Sequence, residues 1–324
     1  MKRKYFSVRH FLAILLVNFI STAMYSQHTT EFTFVETASD YIRQVMQTNA
    51  KAVFDEINNA YYQKSSLSLS SSNATQEAID RIKSLWSTSH FYCTETSVIE
   101  RTLKTPKGFQ VRNIPVYFTK GESNEDKYQD IVIEFTSSGK ISDIYIAISR
   151  HQYVQIIQDN NEVTDLRRRQ LILEFVEDFR TAYNRKDINY LNKVFSNDAL
   201  IITGKVLKQQ KRSDIPNPIG VTIQYVTQSK KEYLTRLKQV FNNNSYINIK
   251  FEDIKVIRHG ENTNVYGVSL RQKYHSSTYD DDGWLFLMID FKNEENPLIW
   301  VRTWQDKRYT PENEIFGLDD FIVR

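Results

Sequence analysis

Asp282–Trp304, DGWLFLMIDFKNEENPLIWVRTW, is the stretch on which the fold turns. Trp284 to Phe291 is an almost unbroken apolar and aromatic run, and Pro297 to Trp304 is β-branched and aromatic, so both halves have strand composition around a polar turn. A buried hairpin is predicted. Alternation places Trp300, Arg302 and Trp304 on one face of its second strand, and Trp284, Phe286, Met288 and Asp290 on one face of its first. Asp290 and Arg302 are then charges inside apolar strands, where an unpaired ion is costly, and the two are expected to pair.

The flanking residues extend this pattern into an α+β unit. Strands are predicted over Tyr246 to Arg258, Thr263 to Ser276, Gly283 to Phe291 and Leu298 to Gln305. Ser229-Lys230-Lys231-Glu232 is a capping box, opening a helix with Leu234, Leu237, Val240 and Phe241 on one face. Upstream lie a strand at Asp198 to Thr203, a short helix capped by Asp187, and a longer helix over about 165–185, apolar at Ile172, Phe175, Val176, Phe179 and Tyr183.

The N-terminal half has the same plan. Helical spacing runs from Thr37 to Gln63, a second helix carries Ile79, Ile82, Leu85 and Trp86, and strands are predicted over His90 to Leu103, Phe109 to Thr119, Tyr128 to Thr136 and Ile141 to Ile148. Ile79/Ile82/Trp86 matches Leu234/Leu237/Phe241 at a displacement of 155 residues (79 to 234), and Ile131–Phe135 matches Leu287–Phe291 at 156 (131 to 287). A tandem repeat of one α+β fold is expected, with units at 27–157 and 165–306, a polar linker at 158–164 and a tail at 307–324. Glu134 stands where the second unit has Asp290, so a structural acid there explains Asp290 more simply than a ligand does; Arg302 has no such counterpart, Ile146 standing in its place.

Residues 1–26 read as a signal peptide: Lys2, Arg3, Lys4 and Arg9 precede an apolar run from Phe11 to Ile20 and a small, polar exit. The apolar run is about half the ~20 residues of a membrane span. The expected product is exported, to the periplasm or beyond, with no membrane span. Losing four basic residues leaves 38 basic against 39 acidic side chains, and this removes the electrostatic case for nucleic acid. Cys93 is the single cysteine, so no internal disulfide forms, and its strand context suggests a buried thiol.

FRTAYNRKDINYLNKVFSNDALIITG, residues 179–204, followed by a capped helix and four long strands, resembles the nuclear transport factor 2-like superfamily, with its SnoaL-like and ketosteroid isomerase-like members. The resemblance implies two cone-shaped domains, each a curved antiparallel sheet wrapped around N-terminal helices, the first a trimmed copy. It also implies a cavity serving as active site, ligand pocket or plain core. Ketosteroid isomerase-like enzymes carry a carboxylate base and a tyrosine donor where this chain has Thr203 and Phe179, with Tyr183 one turn away as a stand-in.

No catalytic residue, metal set or cofactor is therefore assigned. Tyr279-Asp280-Asp281-Asp282-Gly283 lacks the oxygen spacing of a calcium loop and reads as a hairpin turn. The candidate ligand-binding residues are Asp290, Arg302, Trp284, Trp300, Trp304 and Tyr183. Three functions follow: a noncatalytic envelope module binding a partner protein or small ligand, a pocket enzyme acting on a small hydrophobic substrate through a strand acid, or an assembly protein dimerising through its sheets.

Overall fold

The computed structural model describes residues 28–37, 39–121, 123–158, 163, 165–207 and 222–322. The expected signal peptide, most of the expected linker and residues 208–221 lie outside them. In the first unit β1 (Glu31–Val35), α1 (Asp40–Gln63) and α2 (Gln76–Thr88) precede β2 (Phe91–Cys93), β3 (Ser97–Thr105), β4 (Gly108–Phe118), β5 (Tyr128–Thr136) and β6 (Ile141–Ile146). α3 (Arg150–Gln158) leads to α4 (Leu166–Asn184), α5 (Ile188–Val194), β7 (Phe195–Leu207), β8 (Thr222–Gln228), α6 (Lys230–Asn243), β9 (Ile247–Arg258), β10 (Val265–Ser276), β11 (Asp280–Asp290) and β12 (Leu298–Asp306).

Caps set the helix starts as the sequence predicts. Ser229 and Glu232 form the reciprocal capping box of α6, and Asp187 accepts from the Tyr190 amide to open α5. Each unit folds its own sheet over its own core. The first sheet runs β1-β3-β4-β5-β6 with β2 on β4, and the second runs β8-β7-β12-β11-β10-β9. Both are mixed where antiparallel sheets are expected, because β1 lies parallel to β3 and β12 parallel to β7. The repeat survives in three dimensions, since α2 buries Ile79, Ile82 and Trp86 as α6 buries Leu234, Leu237 and Phe241. In the first unit a single parallel bridge from Ala74 to Ile141 stands where the second has the whole of β7.

That truncation leaves β6 as an exposed edge, and the second unit covers it. The Ile146 amide donates to Thr181 Oγ1 (3.0 Å) and the Ile148 amide to Glu177 Oε1 (2.7 Å), both on α4. α4 is accordingly buried nearly all round, its apolar stripe in its own cone and Glu177, Arg180 and Thr181 toward the first unit. Arg112 of β4 grips Glu177 with two bonds, Nη1 to Oε2 at 2.9 Å and Nη2 to Oε1 at 2.5 Å. α3 packs on α4 and β9, and its Ile156 joins the second core.

The convex face of the second sheet is covered by the chain's own end. Phe316, Leu318 and Phe321 pack on Val265, Phe286, Met288 and Val301, with Phe321 stacked on Phe286 at 5.6 Å. Two short 3-10 turns, Glu312–Glu314 and Leu318–Asp320, carry this part of the tail. A sheet-to-sheet dimer would use this same face.

Candidate functional site

The cone of the second unit is apolar at its base and polar at its rim. Leu285, Leu287 and Ile289 of β11 face inward, with Phe175 and Phe179 of α4, Phe195 and Ile299 around them. β12 brings Arg302 opposite Leu287 and Trp304 opposite Leu285, so both enter the concave face. Tyr183 of α4 and Tyr233 of α6 meet them there, their hydroxyls 2.6 Å apart, and the Arg302 guanidinium sits over the Tyr233 ring at 5.0 Å. Asp281, at the start of β11 and opposite Tyr274, completes the cluster.

Arg302 is only 5% exposed, yet its Nε and Nη1 have no hydrogen-bond partner among the described residues; nor do Trp304 Nε1 and Asp281 Oδ1. Buried polar atoms are seldom left so. Burial pushes the Asp281 carboxyl up to about 7, with Arg302 opposing the shift and Asp306 adding to it. Burial, then Tyr233, hold the Tyr183 hydroxyl well above the ordinary phenol range, and it stays a neutral donor and acceptor. Tyr274, Asp281 and Trp304 are half-buried, which makes this the end of the cluster that water reaches. Unpartnered N–H donors on a buried cation and an indole suit a small oxyanion.

Glycine is required beside this cluster. A Cβ on Gly283 would stand 2.5 Å from the Gln305 carbonyl oxygen and 2.7 Å from the Trp304 ring. The indole therefore lies against bare backbone, which fixes where its N–H points.

No family model and no curated protein matches the chain. Solved structures do. An NTF2-like protein from Cytophaga hutchinsonii shares 14% identity over 43% of this chain and 97% of its own, at a TM-score of 0.32. Bd1075 of Bdellovibrio bacteriovorus shares 13% over 64% of this chain and 74% of its own, at 0.33, and a naphthalene 1,2-dioxygenase with indole bound shares 7% over 53% and 93%, at 0.34. The topology itself, a long helix held in the concavity of β9–β12 with β7 and β8 beyond, decides the fold class. The fold is nuclear transport factor 2-like.

Within that nuclear transport factor 2-like cone the six expected ligand residues separate. Arg302, Trp304 and Tyr183 come together. Trp300 does not, because a bulge in β12 between Ile299 and Val301 turns it to the convex face, against the tail. Trp284 is also on that face, with Lys307 Nζ 5.7 Å from its ring. Asp290 does not pair with Arg302, since the two lie on opposite faces; its Oδ1 accepts from the Lys292 amide (2.7 Å) and so shapes the turn. Thr203, at the expected base position, accepts a hydrogen bond from Gln228 Nε2 at 3.0 Å.

Sequence reasoning missed Asp281, Tyr233 and Tyr274. Asp281 was legible, because a strand extended two residues past Gly283 puts it in phase with Leu285 and Leu287; the turn instead comes at Ser276–Tyr279. Tyr233 precedes the apolar stripe of α6, and only the packing of that helix across the cone mouth identifies it. Among the described residues no group of His, Cys, Asp and Glu is placed to hold a metal ion, and no helix is long and apolar enough to cross a membrane.

A cleft of about 380 Å³ between the units is richer in charge, and its cations face carboxylates. Arg81 pairs with Asp143, Arg185 with Asp178 at 2.8 Å, and Lys107 with Glu174 at 3.5 Å. Lys107–Glu174, together with Arg81–Asp178 and Arg185–Asp143 at 3.6 Å each, runs from one unit to the other and fastens them together.

Proposed function

We propose that the protein is an exported, noncatalytic module whose second unit takes up a small carboxylate- or phosphate-bearing ligand at the rim of its cone. Arg302 binds the anionic group, Trp304 Nε1 and Tyr183 add donors, and the Tyr233 ring backs the guanidinium. Unspent donors on a buried arginine carry this reading, because desolvating a cation without satisfying its N–H groups costs stability that a ligand returns. Export rests on the signal-like residues 1–26.

The test is thermal melting and titration calorimetry of residues 27–324 against acetate, benzoate, phenylacetate and inorganic phosphate, for the natural chain and Arg302→Met. At a ligand concentration of 100 Kd the expected stabilisation is about 2.7 kcal/mol, lost in the variant. No melting shift with any of these anions, or an equal shift in Arg302→Met, would count against the site.

Asp281 supports a second reading. A carboxyl titrating at about 7 beside a buried arginine is poised for proton transfer, so the strand acid of a pocket enzyme would be Asp281, where the sequence pointed to Asp290. Turnover falling through the same pH range, and abolished in Asp281→Asn, would favour it.

A further inference from the structure

We infer that the first unit carries a separate binding site, a row of tyrosines on its convex sheet face that runs into the open cleft between the units and takes a neutral oligosaccharide. Tyr92 of β2, Tyr117 of β4 and Tyr128 of β5 stand opposite one another across three neighbouring strands. Their ring centroids are 5.5 and 5.0 Å apart. Tyr61 and Tyr62, at the end of α1, continue the row beside Tyr92 at 4.4 and 5.3 Å, and His28 stacks on Tyr62 at 3.5 Å. Tyr128 is 57% exposed and Tyr62 43%.

The fold does not require the three strand rings, Tyr92, Tyr117 and Tyr128, whereas Tyr61 also packs on the first core. Alternation gives the core Phe91, Cys93, Val116 and Phe118, and it leaves the intervening positions facing water, where any polar strand residue would serve. One exposed aromatic is ordinary, but five adjoining tyrosines form a contact surface. The row also leads somewhere. Tyr128 lines a cleft of about 560 Å³, within the range of ligand sites, whose other walls include Asp130, Ser149, His151, Gln155 and Asp253. Asp253 sits at φ 53° in a bulge of β9, and the Gln152 amide holds it by bridging the Phe251 carbonyl and the Asp253 amide. Bulges of this kind re-aim side chains beside binding sites.

The lining selects the ligand class. Sugar rings offer flat C–H faces that stack on tyrosine and hydroxyls that both donate and accept, as the Ser, Gln, His and Asp side chains do. Asp130, Glu252 and Asp253 balance Arg180 and Lys250, so no basic surplus favours a polyanion. The walls are too polar for a lipid chain.

Affinity electrophoresis through gels containing hydroxyethyl cellulose, xylan, glucomannan or pullulan tests the inference. Calorimetry with the hexasaccharide of whichever polymer retards the protein follows. Retardation in at least one gel is expected. Tyr117→Ala/Tyr128→Ala should weaken binding about tenfold or more, since each stacked ring contributes of order 1 kcal/mol. Circular dichroism and melting of the double variant show whether its fold is intact, and Tyr41→Ala, an exposed tyrosine outside the row, should bind as the natural chain does. No retardation in any gel, retardation unchanged in a folded double variant, or binding to a protein partner alone would overturn the assignment.

Discussion

Replacing Asp281 with Asn should make the protein more stable at high pH and leave it little changed at low pH. The Asp281 carboxyl titrates at about 7 in the fold against an ordinary 3.8, with burial as the main cause. Between those values the folded chain holds a proton that the unfolded chain has released, so stability falls as pH rises through the window from about 4 to 7. This reverses the usual sign for a carboxylate. That difference corresponds to a ceiling of ~4 kcal/mol, and solvent screening at the half-buried rim position of Asp281 reduces it to about half or less. Asn mimics the protonated carboxyl in shape and charge. The stability difference, variant minus natural chain, should therefore be near its minimum below about pH 4, grow by roughly 1–2 kcal/mol to pH 7 and then level off. Urea unfolding of both proteins from pH 4 to 8.5 measures this, and taking the difference cancels every other titration. A difference flat with pH, or an Asn variant less stable at pH 8, would refute the reasoning, the latter by showing that attraction to Arg302 outweighs burial.

Two further substitutions probe how the cone is held. Glu177→Gln should cost about 3–5 kcal/mol in urea unfolding, because Arg112 keeps its buried charge without a counter-ion; the Arg112→Met/Glu177→Leu double variant should recover most of the loss, and a cost under about 1 kcal/mol in the single variant would show the ion pair to be idle. Gly283→Ala should cost about 1–3 kcal/mol and shift the tryptophan emission, since its Cβ meets the Trp304 ring, while Gly260→Ala, with open space around it, should stay within about 0.5 kcal/mol. Unchanged emission and stability in Gly283→Ala would mean that Trp304 does not lie on that glycine.

Local signals determined most of the secondary structure. The Ser229–Glu232 box, the Asp187 cap and the three-and-four spacing of Ile79/Ile82/Trp86 and Leu234/Leu237/Phe241 each act within one or two helical turns, so they can be read without knowing what packs beyond. They also carried the tandem repeat and the α+β class. Tertiary structure decided which side chains meet. Face assignment by alternation holds only until a bulge, and the extra residue at Trp300 is a property of the β11–β12 register that neither strand reveals alone. It parted Trp300 from Arg302, while the pairing of Arg302 with Leu287, three residues before Asp290 on β11, set Asp290 and Arg302 on opposite faces. Glu177 is a charged residue on an amphipathic helix; it is fully buried because the first unit, 65 residues upstream at Arg112, closes over it. β1 has too few residues to announce itself and exists through its parallel pairing with β3. The sequence thus determined what is periodic and local, and only the folded chain determined the rim of the cone, where Arg302, Tyr183, Tyr233 and Asp281 are brought together from four separate elements by long-range contacts that no local pattern encodes.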